Sequence, residues 1–387
     1  MHCLNSKRNG KRQEAVAAET LQYGTRRILG YDLARSLALL GMVFIDFWVL
    51  TDADTPCPEW LLSSLRLVQG RSAPLFVVLA GLGLSLLSRA ALKNRVSSRI
   101  GHVRSMILKR AAFLFISGWL LSLVWPADIL HFYAVYFTVG TLLVNVSNRR
   151  LWEVAVTVIG IFSVLMIVCE FDRGWEWTRV NFVDFWNLPR LLRHVFFSGL
   201  YPVLPWLAFL ILGLWLGRKD LSRPSFRKKI YVLGAAAVVA AEFLSWSVFH
   251  LSPSKIPRVN LEQILPWFSI DPWEPMPLFL ISAGGTALIA LALSVAAAER
   301  FEKAPWLSPI AAMGQLTFTL YIGHILLGSM VVGGSRILGV KPWLFPLWGT
   351  LLFILAALVF AHQWRKHFQR GPLEWLMRRF LVFPVAR

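Results

Sequence analysis

The chain has 387 residues, of which 56% are hydrophobic and 16% are charged, and its mean hydropathy is +0.58. This composition excludes an ordinary soluble domain and is typical of a membrane protein with several spans. The formal net charge of +19 does not predict a nucleic-acid partner, because the basic residues form short clusters between apolar runs, as an inner membrane surface requires. Three cysteines without paired spacing predict neither a disulfide framework nor a metal site.

Apolar segments of near-membrane length recur along the chain, and each can satisfy its backbone polar groups inside a bilayer only as a helix. We place ten of them at 33–50, 72–90, 106–125, 129–146, 151–169, 201–217, 230–250, 277–298, 310–333 and 343–361. The sequence therefore predicts an all-α integral membrane protein. Its membrane domain, residues 31–365, is expected to be a bundle of about ten transmembrane helices.

Lysine and arginine are concentrated before the first segment and in every second connection after it. This asymmetry predicts that both termini are cytoplasmic and that the protein spans a plasma membrane of the bacterial inner-membrane type. Residues 1–30 are then a disordered basic tail without a signal-peptide cleavage site, and residues 366–387 are a cytoplasmic C-terminal segment. Two long outer connections, 170–200 and 251–276, are rich in Trp and Pro, which suits segments at the membrane surface.

The first predicted span carries three ionisable residues, Asp32, Arg35 and Asp46. A charge at the membrane depth of Asp46 costs about 2.5–3.5 kcal/mol even on insertion scales, so it normally has a partner, a wet cavity or a function. Arg35 and Asp46 are separated by three helical turns and lie on nearly the same face. We expect the other spans to cover this polar face.

Further polar residues are expected in the outer half of the membrane, because successive spans alternate in direction. They are Arg71 in the second span, Asp128 and His131 between the third and fourth, Tyr201 and Trp206 in the sixth, and His324 in the ninth. In a partly dry cavity, a histidine or carboxylate can take a proton from a hydroxyl group, and an arginine or tyrosine can hold an anionic or carbonyl group. This set is therefore typical of general acid–base chemistry.

Each of these residues also has a structural interpretation. Asp46 could pair with Arg71 and join two helices, Asp128 could cap the fourth span, and Asp32 could pair with the arginine one turn away. Glu242, in the middle of the seventh span, is an isolated acid that suits either a proton site or a neutral carboxyl group. The sequence contains no glycine-rich phosphate loop and no spacing typical of metal ligands.

A family resemblance is carried by several of these stretches together. Residues 26–47, RRILGYDLARSLALLGMVFIDF, resemble the opening of the DUF418 membrane proteins and of the related heparan-glucosaminide acetyltransferase-like bacterial proteins. Residues 69–87, 201–218 and 314–327 are similar to the second, sixth and ninth spans of that family, and 371–379, GPLEWLMRR, to its C-terminal signature.

The resemblance implies a ten-span acyltransferase that modifies extracytoplasmic sugars, lipids or natural products with an acyl donor from the cytoplasm. In the related acyltransferase-3 family, the first span carries an arginine and a histidine separated by ten residues. Here Arg35 has that spacing to Asp46, and Ser36 replaces the usual glycine. If a histidine is the base, the resemblance leaves His324 or His131.

Our leading hypothesis is a membrane O- or N-acyltransferase that uses acyl-CoA as the donor co-substrate and no metal. His324 would be the general base, with Asp46 as its orienter or as the base itself, and Arg71 or Tyr201 would stabilise the oxyanion. Arg35 and the basic inner loops would meet the donor phosphates. The candidate catalytic residues are His324, Asp46 and His131, and the candidate substrate-binding residues are Arg35, Arg71, Tyr201, Trp206 and Asp128.

The partners expected on this hypothesis are membrane lipids, the acyl donor and an extracytoplasmic small-molecule or glycan acceptor. Two other classes stay open. A proton-coupled transporter or an exporter of lipids or small molecules would use Glu242 and Asp46 as a relay, although the chain lacks an evident internal repeat. A structural membrane subunit would use the same charges only to hold helices together.

Overall fold

The structure is a computed structural model that describes residues 28–51, 56–93, 97–176, 181–182, 187–251, 265–337 and 341–382. The predicted tail 1–30 lies outside these residues except for its last three positions, and so do Trp177, Trp186 and Pro253 of the two long connections. The helices α1 to α14 are, in chain order, Leu29–Leu50, Glu59–Val68, Ser72–Lys93, Ser97–Leu121, Leu130–Leu143, Asn148–Val168, Leu188–Arg193, Val203–Leu216, Pro224–Leu251, Pro277–Arg300, Leu307–Gln315, Thr317–Ile337, Phe345–His367 and Pro372–Val382.

Short elements complete the described chain. Helix α7 continues into one π-helical turn, His194–Ser198, and 3₁₀ turns occur at Leu265–Phe268 and Pro342–Leu344. Two antiparallel strands of two residues each, β1 (Trp175–Glu176) and β2 (Asn181–Phe182), form a small hairpin. The described part of the protein is therefore almost entirely helical, as predicted.

Six helical segments are long and apolar enough to cross a membrane, and up to eight are if each of two bent helix pairs counts as one span. A described helix overlaps each of the ten predicted segments. Helix α5 has only 14 residues, or about 21 Å, and α4 carries basic side chains through its first half. The chain is thus a membrane protein with several candidate spans, while ten spans and cytoplasmic termini stay predictions.

Helix α1 lies at the centre of the bundle and packs against α3, α10, α11, α12 and α13. Its buried positions include Asp32, Ser36, Leu39, Val43 and Asp46, which share one face at helical spacing. The prediction that other helices cover the polar face of the first span is confirmed. The central position of α1 places Asp32 and Asp46 inside the bundle rather than against lipid.

Glycines allow two helix pairs to cross closely. A Cβ atom on Gly81 of α3 would lie 2.1 Å from the Leu210 carbonyl oxygen of α8, and one on Gly213 would lie 2.0 Å from the Val78 carbonyl oxygen. Helices α9 and α10 cross at a second pair of glycines. In a membrane, where burial of apolar surface drives helix association weakly, such close backbone packing holds helices together.

Two helix pairs are bent at short breaks. The segment Leu188–Ser198 meets α8 at 50° across a short break, and α11 meets α12 at 82°. Tyr201 lies in the first break, and α12 carries Tyr321 and His324 beyond the second break. In membranes, broken helices occur where the backbone is covered by protein or lines a cavity. The candidate site joins α1 to the part of α12 that follows the second break.

Candidate active site

A buried carboxylate and a buried imidazole join α1 to α12. His324 Nε2 lies 3.0 Å from Asp46 Oδ2. The rings of Phe47, Tyr321 and Phe353 surround the imidazole at centroid distances of 6.0, 5.2 and 5.9 Å. Nδ1 of His324 is buried and has no hydrogen-bond partner among the described residues. The structure thus forms a carboxylate–histidine pair in which only one ring nitrogen is engaged.

A cavity of about 80 Å³ lies beside this pair, and Asp46 forms part of its wall. His324 is 0% exposed and lies behind Asp46, so the carboxylate is the member of the pair that a ligand in the cavity would reach. Most of the wall is apolar, and the polar exceptions besides Asp46 include Gln69, Tyr201 and the indole of Trp206. Such a concave apolar site with few polar groups is the usual form of a small-molecule pocket.

Trp206 supplies an uncommitted donor to the cavity wall. The residue is 1% exposed, and its Nε1 has no hydrogen-bond partner among the described residues. Tyr201 packs edge-on against it at a centroid distance of 5.1 Å. A buried N–H without a partner costs free energy, so this donor is available to a further acceptor.

Asp128 and His131 form a second carboxylate–histidine pair at the start of α5. Asp128 Oδ2 accepts hydrogen bonds from the backbone N–H groups of Leu130 and His131 at 2.9 and 3.2 Å and lies 3.1 Å from His131 Nδ1. The predicted capping role of Asp128 is therefore confirmed. The Tyr321 hydroxyl contacts the other carboxylate oxygen at 3.3 Å, so α12 contacts both pairs. Ala127, beside Asp128, lines the cavity.

Arg71 and Glu242 pair with each other, which resolves two of the open interpretations. Arg71 Nη2 lies 2.5 Å from Glu242 Oε1, and Ser282 Oγ contacts both groups at 2.6 and 2.9 Å. The predicted alternative of an Asp46–Arg71 pair is wrong, because Asp46 engages His324 instead. Glu242 is not the isolated acid that the sequence indicated. Arg71 is also absent from the described residues that line the cavity.

The other end of α1 carries a separate ion pair. Arg35 Nη1 contacts Asp32 Oδ1 at 2.8 Å, which confirms the predicted i,i+3 pair, and the Gln315 side chain donates to the second Asp32 oxygen at 3.1 Å. Asp32 is buried, whereas the Arg35 side chain remains 33% exposed. Arg110 of α4 lies close enough for its charge to interact with Arg35, and its Nε is buried without a partner among the described residues.

The loop before α10 adds a perturbed carboxyl group near the cavity. Trp273 and Pro272 belong to the cavity wall, and Glu274 follows them. Burial raises the pKa of the Glu274 carboxyl group, and the nearby carboxylates of Asp172 and Asp271 raise this pKa further. The Glu274 carboxyl group therefore keeps its proton to a higher pH than the carboxyl group of a free glutamate does.

Gln69 is a cavity residue that sequence reasoning missed, whereas spacing alone places Tyr321 one turn before His324 on the same helical face. Gln69 offered no such signal, because its role depends on the turn at Gly70, whose φ of +70° only glycine adopts readily. Among the described residues, no group of three or more His, Cys, Asp or Glu side chains could hold a metal ion.

Comparison with known protein families agrees with these features. The family described as heparan-alpha-glucosaminide N-acetyltransferase, catalytic, matches residues 27–239, which is more than half of the chain. The chain belongs to this family. The DUF418 family, a protein family of unknown function, matches residues 215–383. Both resemblances drawn from the sequence are thereby confirmed, and no curated protein matches the chain.

The two family matches divide the site between them. Every predicted site residue except His324 lies inside the acetyltransferase match, and His324 lies inside the DUF418 match. The Asp46–His324 contact therefore joins the two matched regions across the centre of the bundle. In this acetyltransferase-family member, residues from both matched regions therefore form the candidate site.

Proposed function

We propose that the protein is an integral membrane acyltransferase. In this proposal it moves an acyl group from an acyl-CoA bound at the cytoplasmic side to a hydroxyl or amine acceptor at the extracytoplasmic side of the plasma membrane. The observation that carries the proposal is the Asp46–His324 pair at the wall of a largely apolar cavity, in a member of an acetyltransferase family. The name of the family makes a terminal glucosamine the first acceptor to test.

Asp46 is the general base in this mechanism, because it is the member of the pair that lines the cavity. It takes the proton of the acceptor O–H or N–H group as the acceptor oxygen or nitrogen attacks the acyl carbonyl carbon. The bond between that carbon and the donor sulfur breaks, and the thiolate takes the proton that Asp46 has received, so that coenzyme A leaves as the thiol and the carboxylate is regenerated. His324, in the tautomer protonated at Nε2, donates to Asp46 and orients the carboxylate.

The developing oxyanion needs donors that face the cavity. Tyr201 and Trp206 line it, and Trp206 Nε1 is free to donate among the described residues. Arg71 is a weaker candidate for the oxyanion donor than the sequence alone suggested, because its guanidinium group already contacts Glu242 and Ser282. Preorganised donors of this kind typically contribute about 10²–10³-fold in rate each.

Arg35 is the proposed contact for the donor phosphates. Its ion pair with Asp32 fixes its position while a third of its side chain stays accessible, and Arg110 adds a second guanidinium nearby. A cluster with two arginines and one carboxylate has a net positive charge and favours a polyanionic group. Membrane lipids complete the set of proposed partners.

The transporter alternative loses its main support in the structure. It rested on Glu242 and Asp46 as two buried acids that relay protons, but Glu242 is neutralised by Arg71, and Asp46 contacts His324. Each acid is therefore held in its own local pair, and the two pairs share no residue. We therefore propose the acyltransferase alone.

The test is donor binding followed by transfer. Purified protein in detergent is screened against acyl-CoAs of increasing chain length by thermal shift, since a ligand that binds only the folded state raises the melting temperature. We expect a shift with a short acyl-CoA that is lost in Arg35→Ala and retained in Arg149→Ala, an exposed arginine of α6. Transfer of labelled acetyl to glucosamine-terminated saccharides is then measured. No shift with any acyl-CoA contradicts the proposal.

A further inference from the structure

The start of α12, the helix that carries His324, lacks a local cap. The residue before it is Leu316, which has no side-chain acceptor, and the 82° bend after α11 removes the carbonyl groups that a continuous helix would supply. The first N–H groups of a helix need acceptors from elsewhere when no capping side chain precedes them. The structure supplies one from a distant part of the chain.

Glu374, in the first turn of the C-terminal helix α14, is that acceptor. Its Oε1 accepts hydrogen bonds from the backbone N–H groups of Phe318 and Thr319 at 2.8 and 3.1 Å. Its Oε2 accepts the Thr319 hydroxyl at 2.5 Å, and that hydroxyl oxygen in turn accepts the Leu373 N–H at 3.1 Å. A carboxylate at a helix N-terminus also interacts favourably with the helix dipole.

The surrounding residues fit this contact closely. Gly371 leaves the space that the carboxylate occupies, because a Cβ atom there would lie 2.0 Å from Glu374 Oε2 and 2.8 Å from Thr319 Oγ1. Phe113 of α4 packs against Phe318 on one side and against Phe380 of α14 on the other. Helix α14 therefore packs against α4 and α12.

We propose that Glu374 is a positioning residue for the Asp46–His324 pair, so that the C-terminal helix holds the functional helix in place. Thr319 and His324 are five residues apart on one rigid helix, about 7.5 Å along its axis. Glu374 thus fixes the end of α12 that lies nearest to the imidazole. This inference rests on the proposed function only for the importance of His324; the positioning itself is independent of it.

Histidine NMR on ¹⁵N-histidine-labelled full-length protein in detergent tests the inference without requiring activity. The His324 signals are assigned by their loss in His324→Gln. We expect Glu374→Ala to shift the His324 ring-nitrogen signals, and Thr319→Val, which removes the hydroxyl between Glu374 and Leu373, to shift them in the same direction. Glu299→Ala, which removes a carboxylate paired with Arg227 on another surface, serves as the matched control and leaves them unchanged.

A lower melting temperature with unchanged His324 signals in Glu374→Ala would show a merely structural cap and overturn the inference. Where Glu374→Ala does not fold, Glu374→Gln keeps a neutral acceptor for the same N–H groups and is expected to give a smaller shift in the same direction; no shift in that folded variant also overturns it. Failure of acyl-CoA binding in the wild type refutes the proposed function instead, so the two failures are distinct.

Discussion

Replacing Asp46 with asparagine removes the proposed base while keeping its shape. The asparagine carbonyl oxygen can take the place of Asp46 Oδ2, 3.0 Å from His324 Nε2, and the amide nitrogen then replaces the other oxygen. The carboxamide cannot accept the acceptor's proton at neutral pH. General-base catalysis contributes about 10²–10⁴-fold in rate, so we expect Asp46→Asn to raise the activation free energy by about 2.7–5.5 kcal/mol.

The stability of the variant should change much less than its activity. A hydrogen bond between His324 and the new amide replaces one to a carboxylate, a difference of about 1 kcal/mol. The assay is acetyl transfer from labelled acetyl-CoA in proteoliposomes, with the melting temperature measured in parallel. Asp220→Asn, which changes an exposed loop carboxylate, is the matched control.

A comparison with His324→Gln separates the two assignments of the base. If Asp46 accepts the proton and His324 only orients the Asp46 carboxylate, the loss of activity is smaller in His324→Gln than in Asp46→Asn. The opposite order would mean that the imidazole accepts the proton through Nδ1. Full acetyl transfer in a folded Asp46→Asn protein would refute the reasoning altogether.

Three further outcomes follow from the contacts around the site. Glu242→Gln should destabilise the protein, and adding Arg71→Gln should restore part of the loss. In a double-mutant cycle measured by denaturation of wild type, the two single variants and the double variant, we expect a coupling free energy of about 0.5–3 kcal/mol between the two residues. Gly81→Ala should lower the melting temperature because its Cβ would meet backbone atoms of α8, whereas Gly83→Ala, two residues away in open space, should not. Because the pKa of Glu274 is raised in the folded state, its protonated form stabilises the protein fully below pH 4.5, and this stabilisation is lost as the pH rises through the raised pKa. In thermal melts, the stability of Glu274→Gln relative to wild type should therefore increase from acidic to neutral pH.

The helices could be predicted from the sequence because they are long, apolar and separated by charges. The central place of α1 was also predictable, since a helix with Asp32, Arg35 and Asp46 on related faces must be covered by protein. The two breaks between bent helices could not be predicted in this way. Nothing in the composition of residues 310–333 indicates an 82° bend at Leu316, and the carboxylate that accepts the first N–H groups after the bend belongs to Glu374, more than fifty residues away.

The members of the site could be predicted better than their partners. Asp46 and His324 were both identified as intramembrane polar residues, but their contact depends on how α12 is oriented against α1, which spacing along the chain does not determine. Arg71 and Glu242 were misjudged for the same reason: each was considered without the other. The attraction of opposite charges at membrane depth predicts that Arg71 pairs with an acid, but it does not distinguish Glu242 from Asp46.

The position of Arg35 and Asp46 on one helix limits which donors can work. Eleven residues separate them, so the proposed phosphate contact and the proposed base are about 16 Å apart along the axis of α1. A donor held by its phosphates at Arg35 reaches Asp46 only if a long arm joins those phosphates to the acyl group. Acetyl-CoA has such an arm, and acetyl phosphate does not. We therefore expect transfer from acetyl-CoA and none from acetyl phosphate. A truncated thioester without phosphates should react slowly and equally in wild type and Arg35→Ala, while acetyl-CoA turnover should fall in Arg35→Ala. Equal loss with both thioesters would show that Arg35 supports the fold rather than the donor.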